Sequence, residues 1–206
     1  SWAHVPPGRY SMLTTFMRQY SLSSNIEQNA MGCEHYVVTA NTRDVALRIT
    51  QDFRDSFHAF LLIGTYGTGK STFLLQFERD LCGEGGELLV GAAEKWAGVS
   101  GCKCLNIVGQ YSAFSTVLYQ KIQDVLRKDG SSLSRAGYES STIREDDVPS
   151  VDNTLALLDL YYEKVTAQGE MLFIAIDEFG KMLEHAAKHE VESELYFVQQ
   201  LAEIGR

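Results

Sequence analysis

The sequence predicts an α/β fold in which a parallel sheet carries helices on its faces. Apolar, β-prone runs alternate with amphipathic helical segments in the order β, α, β, α, α, β, α, which is the pattern of such folds. A glycine-rich loop follows the first run, at 57–63, and leads into a helical segment. A later run, 171–176, ends in two adjacent carboxylates. Both features place polar groups at the ends of strands, where open α/β sheets bind their ligands.

The bulk composition limits the function classes. The 206 residues are enough for one domain with a sizeable core. A net charge of −9 argues against a broad, non-specific grip on nucleic acid, which needs a basic surface. No apolar run is long enough to cross a bilayer, and residues 1–8 lack the basic-then-apolar layout of a signal peptide. We therefore expect a cytoplasmic protein that makes no contact with membranes.

The cysteines and a histidine pair are candidate metal ligands. Cys102 and Cys104 hint at a metal, but a site needs more ligands at suitable spacing, and Cys82 stands isolated, as does Cys33. We expect four reduced thiols, as is usual in the cytoplasm. The four-residue spacing of His185-x-x-x-His189 places both rings on one helix face. With no third ligand evident, we interpret that face as solvated.

Residues 1–35 are predicted to form an N-terminal arm or linker, and 36–206 the core. After a short β-prone run, Asn41 or Thr42 can cap a helix. The apolar face of this helix is predicted to consist of Val45, Ile49 and Phe53. The helix leads directly into the run 57–63, which we predict to be a buried strand.

The loop after this run reads Gly64-Thr65-Tyr66-Gly67-Thr68-Gly69-Lys70-Ser71, the G-x-x-x-x-G-K-S or Walker A pattern. Its glycines allow the backbone to wrap closely around phosphate, and the following helix adds its dipole. Lys70 is predicted to contact the β and γ phosphates and Ser71 to ligate Mg²⁺. The predicted nucleotide-binding residues are Gly64, Thr65, Tyr66, Gly67, Thr68, Gly69, Lys70, Ser71 and Thr72.

The middle of the chain continues the alternation. A helix over 70–81 is expected to stop near Cys82, and the glycine-rich stretch 82–101 to be a loop with a short helix at 92–97. A second strand is predicted over 104–109 and an amphipathic helix over 114–128.

The stretch 130–150 is polar and rich in glycine and serine, and we predict that it is disordered. Either Ser150 or Asp152 is then expected to cap a helix that extends through Ala167. This helix leads to the last strand of the pattern.

That last strand, from Met171, delivers Asp177 and Glu178 to the edge of the sheet where the glycine loop also lies. This is the Walker B layout. Asp177 is predicted to hold the Mg²⁺ shell, directly or through water. Glu178 is predicted to polarise the attacking water, so the predicted catalytic residues are Glu178 and Lys70.

The second carboxylate, Glu178, distinguishes between the classes of P-loop protein. Small-molecule kinases need no glutamate to activate water, GTPases need an Asn/Thr-Lys-x-Asp guanine reader, and ABC ATPases need a Leu-Ser-Gly-Gly signature. Neither of these two motifs occurs in the sequence. The ASCE group of ATPases remains, which includes the AAA+ and STAND families and the RecA-like motors.

Two blocks, 60–78 and 171–203, resemble AAA+ ATPases of the origin-recognition type and the large P-loop ATPases of bacterial anti-phage defence systems. The second block contains Asp177-Glu178-Phe179-Gly180-Lys181 and the helix after it. The resemblance implies a P-loop NTPase three-layer sandwich, ATP and Mg²⁺ as cofactors, and other subunits or domains of a larger assembly as partners, with DNA reached through partners.

The resemblance also implies a strand between the Walker A and Walker B strands, carrying a polar sensor residue. The segment 179–204 is helical in pattern throughout. We therefore expect a core truncated after the Walker B helix, with the sensor strand, arginine finger and lid beyond Arg206.

Two functions stay open. The first is an ATPase module that couples Mg·ATP turnover to conformational change in a larger protein or complex. The alternative is a nucleotide-gated, STAND-like switch or scaffold with little turnover. A P-loop kinase is the third reading, and Glu178 argues against it.

Overall fold

The computed structural model describes residues 26–27, 36–65, 67–84, 86–89, 99–130, 149–189 and 191–204. These residues form a mixed structure of six helices and a two-stranded sheet. In chain order the elements are α1 (Ala40–Arg54), α2 (Lys70–Leu81), β1 (Gly101–Val108), α3 (Phe114–Lys128), α4 (Val151–Thr166), β2 (Glu170–Asp177), α5 (Phe179–His189) and α6 (Val191–Glu203).

The two strands are parallel and in continuous register. Gly101 lies opposite Glu170 at one end, and Val108 lies opposite Asp177 at the other. Because parallel strands run in the same direction, both carboxyl ends meet at one edge of the sheet. The predicted strands at 104–109 and 171–176 are thus confirmed with slightly different bounds, and they are direct neighbours.

Alternate residues of each strand face opposite sides of the sheet, since side chains in a strand have a period of two. One side, which we name the α2 face, packs against α2: Phe173 of β2 lies 5.9 Å from the Phe77 ring of α2. Ala46 of α1 and Leu62 belong to the same apolar cluster.

The other side, which we name the opposite face, contains the larger core. Leu105 and Ile107 of β1 are buried there, and Leu172, Ile174 and Ile176 of β2 pack against the same cluster. The helices that supply this core are α3, α4 and α6, with Met182 of α5 at its margin. Helices therefore cover both faces, as a parallel sheet requires.

The helix starts follow capping chemistry. Ser150 caps α4 by accepting the Asn153 N–H at 3.2 Å, so this predicted cap is confirmed. The cap predicted for α1 at Asn41 or Thr42 is wrong: Thr39 caps the helix by accepting the Thr42 N–H at 3.2 Å, and Thr42 Oγ1 accepts the Thr39 N–H at 3.0 Å. The two threonines thus form a reciprocal capping box, which pairs two N–H groups at the start of α1.

The predicted strand at 57–63 is wrong for this structure. The segment is not helical or in a ladder with either described strand, and Phe57, Leu61 and Ile63 are 60%, 71% and 89% exposed. Only Leu62 packs on the α2 face. An apolar run becomes a strand only where another strand pairs its N–H and C=O groups, and 57–63 pairs with neither β1 nor β2.

Several predictions lie outside the described residues. These are the short helix at 92–97, the loop over 131–148 and most of the arm at 1–35. Within the arm, Ile26 is buried against Leu75 and Ala175 on the α2 face. Among the described residues, no helix has the length and apolar character needed to cross a membrane.

Candidate functional site

The glycine loop is built around two left-handed backbone positions. Gly67 has φ 78° and Gly69 has φ 80°, a region that residues with a Cβ rarely adopt. Gly69 is the residue before α2, and its carbonyl accepts the Phe73 N–H at 2.8 Å. No side chain of the described residues caps α2. The loop therefore delivers the chain into a helix N-terminus whose first N–H groups suit an anion.

The Lys70 ammonium lies across this loop. It donates to the carbonyl oxygens of Gly64 at 2.9 Å and Thr65 at 2.8 Å. Thr68 Oγ1 donates to the same Thr65 carbonyl at 2.8 Å. An ammonium has three donors, and Lys70 uses two of them to hold the loop curved. Tyr66 lies outside the described residues.

Ser71 and Asp177 meet where α2 begins and β2 ends. Ser71 Oγ donates to Asp177 Oδ2 at 2.5 Å, joining residues 106 apart in sequence. Strand alternation explains the contact: Asp177 has the same parity as Phe173 and so points to the α2 face. Its other oxygen, Oδ1, accepts the Glu178 N–H at 2.9 Å. A hydroxyl and a carboxylate side by side are ligands that Mg²⁺ prefers.

Glu178 turns away from this contact. It is a non-glycine residue with φ 54°, a conformation that costs of order 1–3 kcal/mol and clusters at functional sites. Its Oε2 accepts from Lys181 Nζ at 2.5 Å, and its side chain is 39% exposed. The structure thus brings Lys70, Ser71 and Asp177 to one edge, but pairs the predicted water-activating carboxylate with Lys181.

Gly109 supports the corner formed by Asp177 and Glu178. Its N–H donates to the Asp177 carbonyl at 2.7 Å. A Cβ placed at Gly109 would lie 2.3 Å from the Glu178 carbonyl oxygen and 2.7 Å from its carbon, which real Cβ atoms do not tolerate. Sequence reasoning missed this residue; its only signal was a glycine directly after an apolar strand.

The cysteines are arranged differently from the sequence expectation. Cys82 is not isolated, because its Sγ lies 3.6 Å from Cys104 Sγ, which in turn lies 3.8 Å from Cys102 Sγ. All three thiols are free and partly buried. Hydrogen bonds with the Cys102 and Cys104 thiols lower the pKa of the Cys82 thiol below its usual range. The trio lies on the α2 face, near the opposite end of α2 from Lys70.

The two histidines of α5 form an aromatic cluster. Their ring centroids are 4.5 Å apart, and the Tyr111 ring contacts His185 edge-on at 5.1 Å. Lys188 Nζ lies 5.5 Å from the Tyr111 ring centroid. His189 is exposed and Tyr111, in the loop after β1, is 50% exposed. The face is therefore solvated, as predicted, with the His185 ring partly covered by Tyr111.

These contacts join both predicted motifs at the carboxyl edge of the sheet. The predicted residues that meet there are Lys70, Ser71 and Asp177. Gly109 and Lys181 also contribute to the site, and the sequence did not suggest a role for either. Comparisons of the chain with protein-family models, curated proteins and solved structures find no match.

Proposed function

We propose that this chain is an ATP-binding and hydrolysing module of the P-loop type, belonging to the ASCE group of ATPases. The observation that carries the proposal is the contact between Ser71 Oγ and Asp177 Oδ2. A glycine loop alone or an acidic strand end alone has many explanations. Their meeting across 106 residues supplies the hydroxyl and carboxylate pair that P-loop ATPases use.

The loop residues would receive the phosphates. Lys70 contributes a point charge to the β and γ phosphates, and the start of α2 contributes its N–H groups and dipole. Ser71 and Asp177 would hold Mg²⁺, which when bound neutralises charge on the transferred phosphoryl group. Glu178 would orient and polarise the attacking water once its carboxylate leaves Lys181.

The order of the sheet supports the ASCE assignment. In that group a strand separates the Walker A segment from the Walker B strand. Among the described residues, β2 pairs only with β1, and 57–63 forms no ladder. Leu62 of this segment and Phe173 of β2 pack against the same apolar cluster with no ladder between the two segments, which is consistent with the ASCE order.

The larger setting of the module follows from the resemblance alone. We propose that it couples Mg·ATP turnover to conformational change, with other subunits or domains as partners. Contact with DNA through partners and a role in anti-phage defence belong to the same proposal.

A second candidate function is favoured by the Glu178–Lys181 ion pair. Because Lys181 Nζ lies 2.5 Å from Glu178 Oε2 and stabilises its negative charge, Glu178 is a poorer base for water. A nucleotide-gated, STAND-like switch that retains nucleotide and turns over little would use such an arrangement.

Lys70→Ala tests nucleotide binding at this loop. Loss of a charge-assisted bond of about 1.5–3 kcal/mol should weaken ATP binding about 10–100-fold. Fluorescence titration of the purified protein with ATP measures the change, and Lys128→Ala, at the exposed end of α3, is the control. Equal affinity in Lys70→Ala and wild type would end the P-loop assignment.

Lys181→Ala separates the two candidate functions. If the ion pair restrains Glu178, the variant should hydrolyse ATP faster than wild type in a steady-state phosphate-release assay. Lys188→Ala is the matched control, because Lys188 pairs with Glu184 on the same helix at 3.0 Å. Turnover that stays equal or falls would show that the Lys181 ion pair does not restrain Glu178, and the switch would lose its supporting observation.

A further inference from the structure

Three thiols from two distant parts of the chain converge on the α2 face. The Sγ atoms of Cys82 and Cys104 are 3.6 Å apart, and those of Cys102 and Cys104 are 3.8 Å apart. All three ligand atoms lie within 4.8 Å of one another. Within the described residues, this is the one group of three or more histidines, cysteines or carboxylates with such spacing.

The fold holds these thiols in place from both sides. Cys102 and Cys104 are two apart on β1, so strand alternation points both toward α2. Cys82 is the residue after α2, and its N–H donates to the Glu78 carbonyl at 2.9 Å. Cys102 packs against the apolar cluster that includes Phe77. Helix and strand are both regular elements, so the trio rests on a rigid support rather than on a loop.

The separations fit a shared metal ion better than a disulfide. A disulfide requires sulfurs about 2.05 Å apart. Three thiolates bound to one tetrahedral Zn²⁺ at about 2.3 Å lie about 3.8 Å from one another by simple trigonometry. The two measured distances, 3.6 and 3.8 Å, are close to that value.

The Glu78 carboxylate lies close enough to the thiols to supply an oxygen as the fourth ligand. Glu78 precedes Cys82 by one helical turn, so the two side chains lie on the same face of α2. Its Oε2 accepts from Asn106 Nδ2 at 2.6 Å, and its carboxylate also lies within hydrogen-bonding reach of the Cys104 thiol. The Asn106 bond is the kind of outer contact that orients a metal-ligating carboxylate.

We propose that Cys82, Cys102 and Cys104 bind a thiophilic divalent cation of the Zn²⁺ class, with Glu78 or a water as the fourth ligand. Binding exchanges the thiol protons for the metal: each thiol loses one proton to solvent as its Zn–S bond forms. No oxidant or reductant takes part. The ion would tie the carboxyl end of α2 to the start of β1, and the site is separate from the phosphate loop at the other end of the helix.

Cobalt substitution tests this site directly. The reduced, metal-free protein is titrated anaerobically with Co²⁺, whose thiolate complexes give a charge-transfer absorption band. Wild type should take up one Co²⁺ with this band, and excess Zn²⁺ should abolish it. Cys33→Ser is the matched control and should give the same spectrum, because the proposed ligands exclude Cys33.

Cys104→Ser removes the central thiol and should lower the affinity at least 10-fold and weaken the band. Glu78→Gln should lower the affinity less, with the band retained. Absence of a thiolate band in wild type, or an identical spectrum and affinity in Cys104→Ser, overturns the proposal.

A second measurement avoids the risk that a variant fails to fold. Wild-type thiols are alkylated with and without Zn²⁺, and the modified positions are read by peptide mass spectrometry. Zn²⁺ should protect Cys82, Cys102 and Cys104 together while Cys33 gains no protection. Equal labelling of the three with and without Zn²⁺, or formation of a Cys82–Cys104 disulfide in its place, also overturns the proposal.

Discussion

The two faces of the β1–β2 sheet differ in what they bury. The opposite face buries the larger apolar core, with Leu105, Ile107 and Phe197 at or below 1% exposure. Its buried polar residues, Ser115, Thr154 and Glu194, meet at the start of α3. The α2 face mixes apolar residues with polar and reactive groups, including Asp177, Asn106 and the three thiols. The two faces can differ in this way because successive side chains of a strand point to opposite sides of the sheet.

If the proposed function holds, stability and nucleotide binding depend on opposite faces of these two strands, because alternate residues face opposite sides. Substitutions on the opposite face should change the free energy of unfolding more than nucleotide handling. Substitutions on the α2 face and at the carboxyl edge of the sheet should change nucleotide binding and turnover more than the free energy of unfolding. Four predictions test this separation.

Glu178→Gln should have the largest effect, and only on chemistry. The amide is nearly isosteric but a far poorer base, so hydrolysis should slow about 10²–10⁴-fold while ATP stays bound. Single-turnover phosphate release, ATP affinity and thermal melting are measured on the same protein. Glu184→Gln on α5 is the control. Unchanged turnover with partners present would remove Glu178 from the catalytic role.

Glu194→Ala should have the largest effect on stability. Glu194 is 2% exposed and accepts the Phe114 N–H at 2.7 Å and the Ser115 hydroxyl at 2.6 Å, so it holds the start of α3 from α6. Its loss leaves two buried donors unpaired, which should cost about 3 kcal/mol and lower Tm by roughly 6–12 °C.

The control for this change is Glu192→Ala, at an exposed position on the same helix. ATP affinity, measured well below Tm, should be the same in Glu194→Ala and wild type. A large loss of affinity in a folded Glu194→Ala protein would break the proposed separation of the two faces.

Gly109→Ala should affect both properties, because Gly109 lies at the edge where the faces meet. Its new Cβ must displace the Glu178 carbonyl, at a cost of about 1–3 kcal/mol, and this movement shifts Asp177 and Glu178. Denaturant unfolding and ATP turnover should both decline. Gly180→Ala is the control, since a Cβ there meets nothing within 4 Å; equal behaviour of the two variants would contradict the assignment.

A matched pair of cap deletions should have the smallest effects. Thr39→Ala removes the cap of α1, and Ser150→Ala removes the cap of α4, each at about 1 kcal/mol. Because α4 contributes Leu157, Leu158 and Tyr161 to the large core, we expect Ser150→Ala to lower global stability. We expect Thr39→Ala mainly to fray α1, whose one fully buried residue is Ala46. Hydrogen exchange distinguishes local from global opening.

The candidate site could be predicted because its determinants are local. The Gly67 and Gly69 conformations, the helix start at Lys70 and the strand parity of Asp177 each depend on a few neighbouring residues. The helices predicted over 70–81, over 114–128 and from Ser150 or Asp152 through Ala167 are found within a residue or so of those bounds, whereas 179–204 forms two helices. The P-loop assignment itself stays a prediction.

What the sequence could not predict depends on partners far away in the chain. Whether 57–63 forms a strand depends on another strand being beside it, and hydrophobicity does not report that. The contact between Cys82 and Cys104 depends on how α2 packs on β1. The hydrogen bond from the Phe114 N–H to Glu194 depends on how α6 packs on α3. No local sequence pattern links these elements. The constraint on Gly109 comes from the backbone of Glu178, which lies on a different strand end.

The parallel register of β1 and β2 has a consequence for how the molecule folds. Pairing Gly101 with Glu170 closes a long loop before any ladder bond forms, and such non-local contacts slow folding because chain entropy is lost first. Ser71 and Asp177, 106 residues apart, can meet only after that closure. We therefore expect the Ser71–Asp177 contact to form late in folding. If ATP binds at this contact as proposed, it should slow unfolding without accelerating folding.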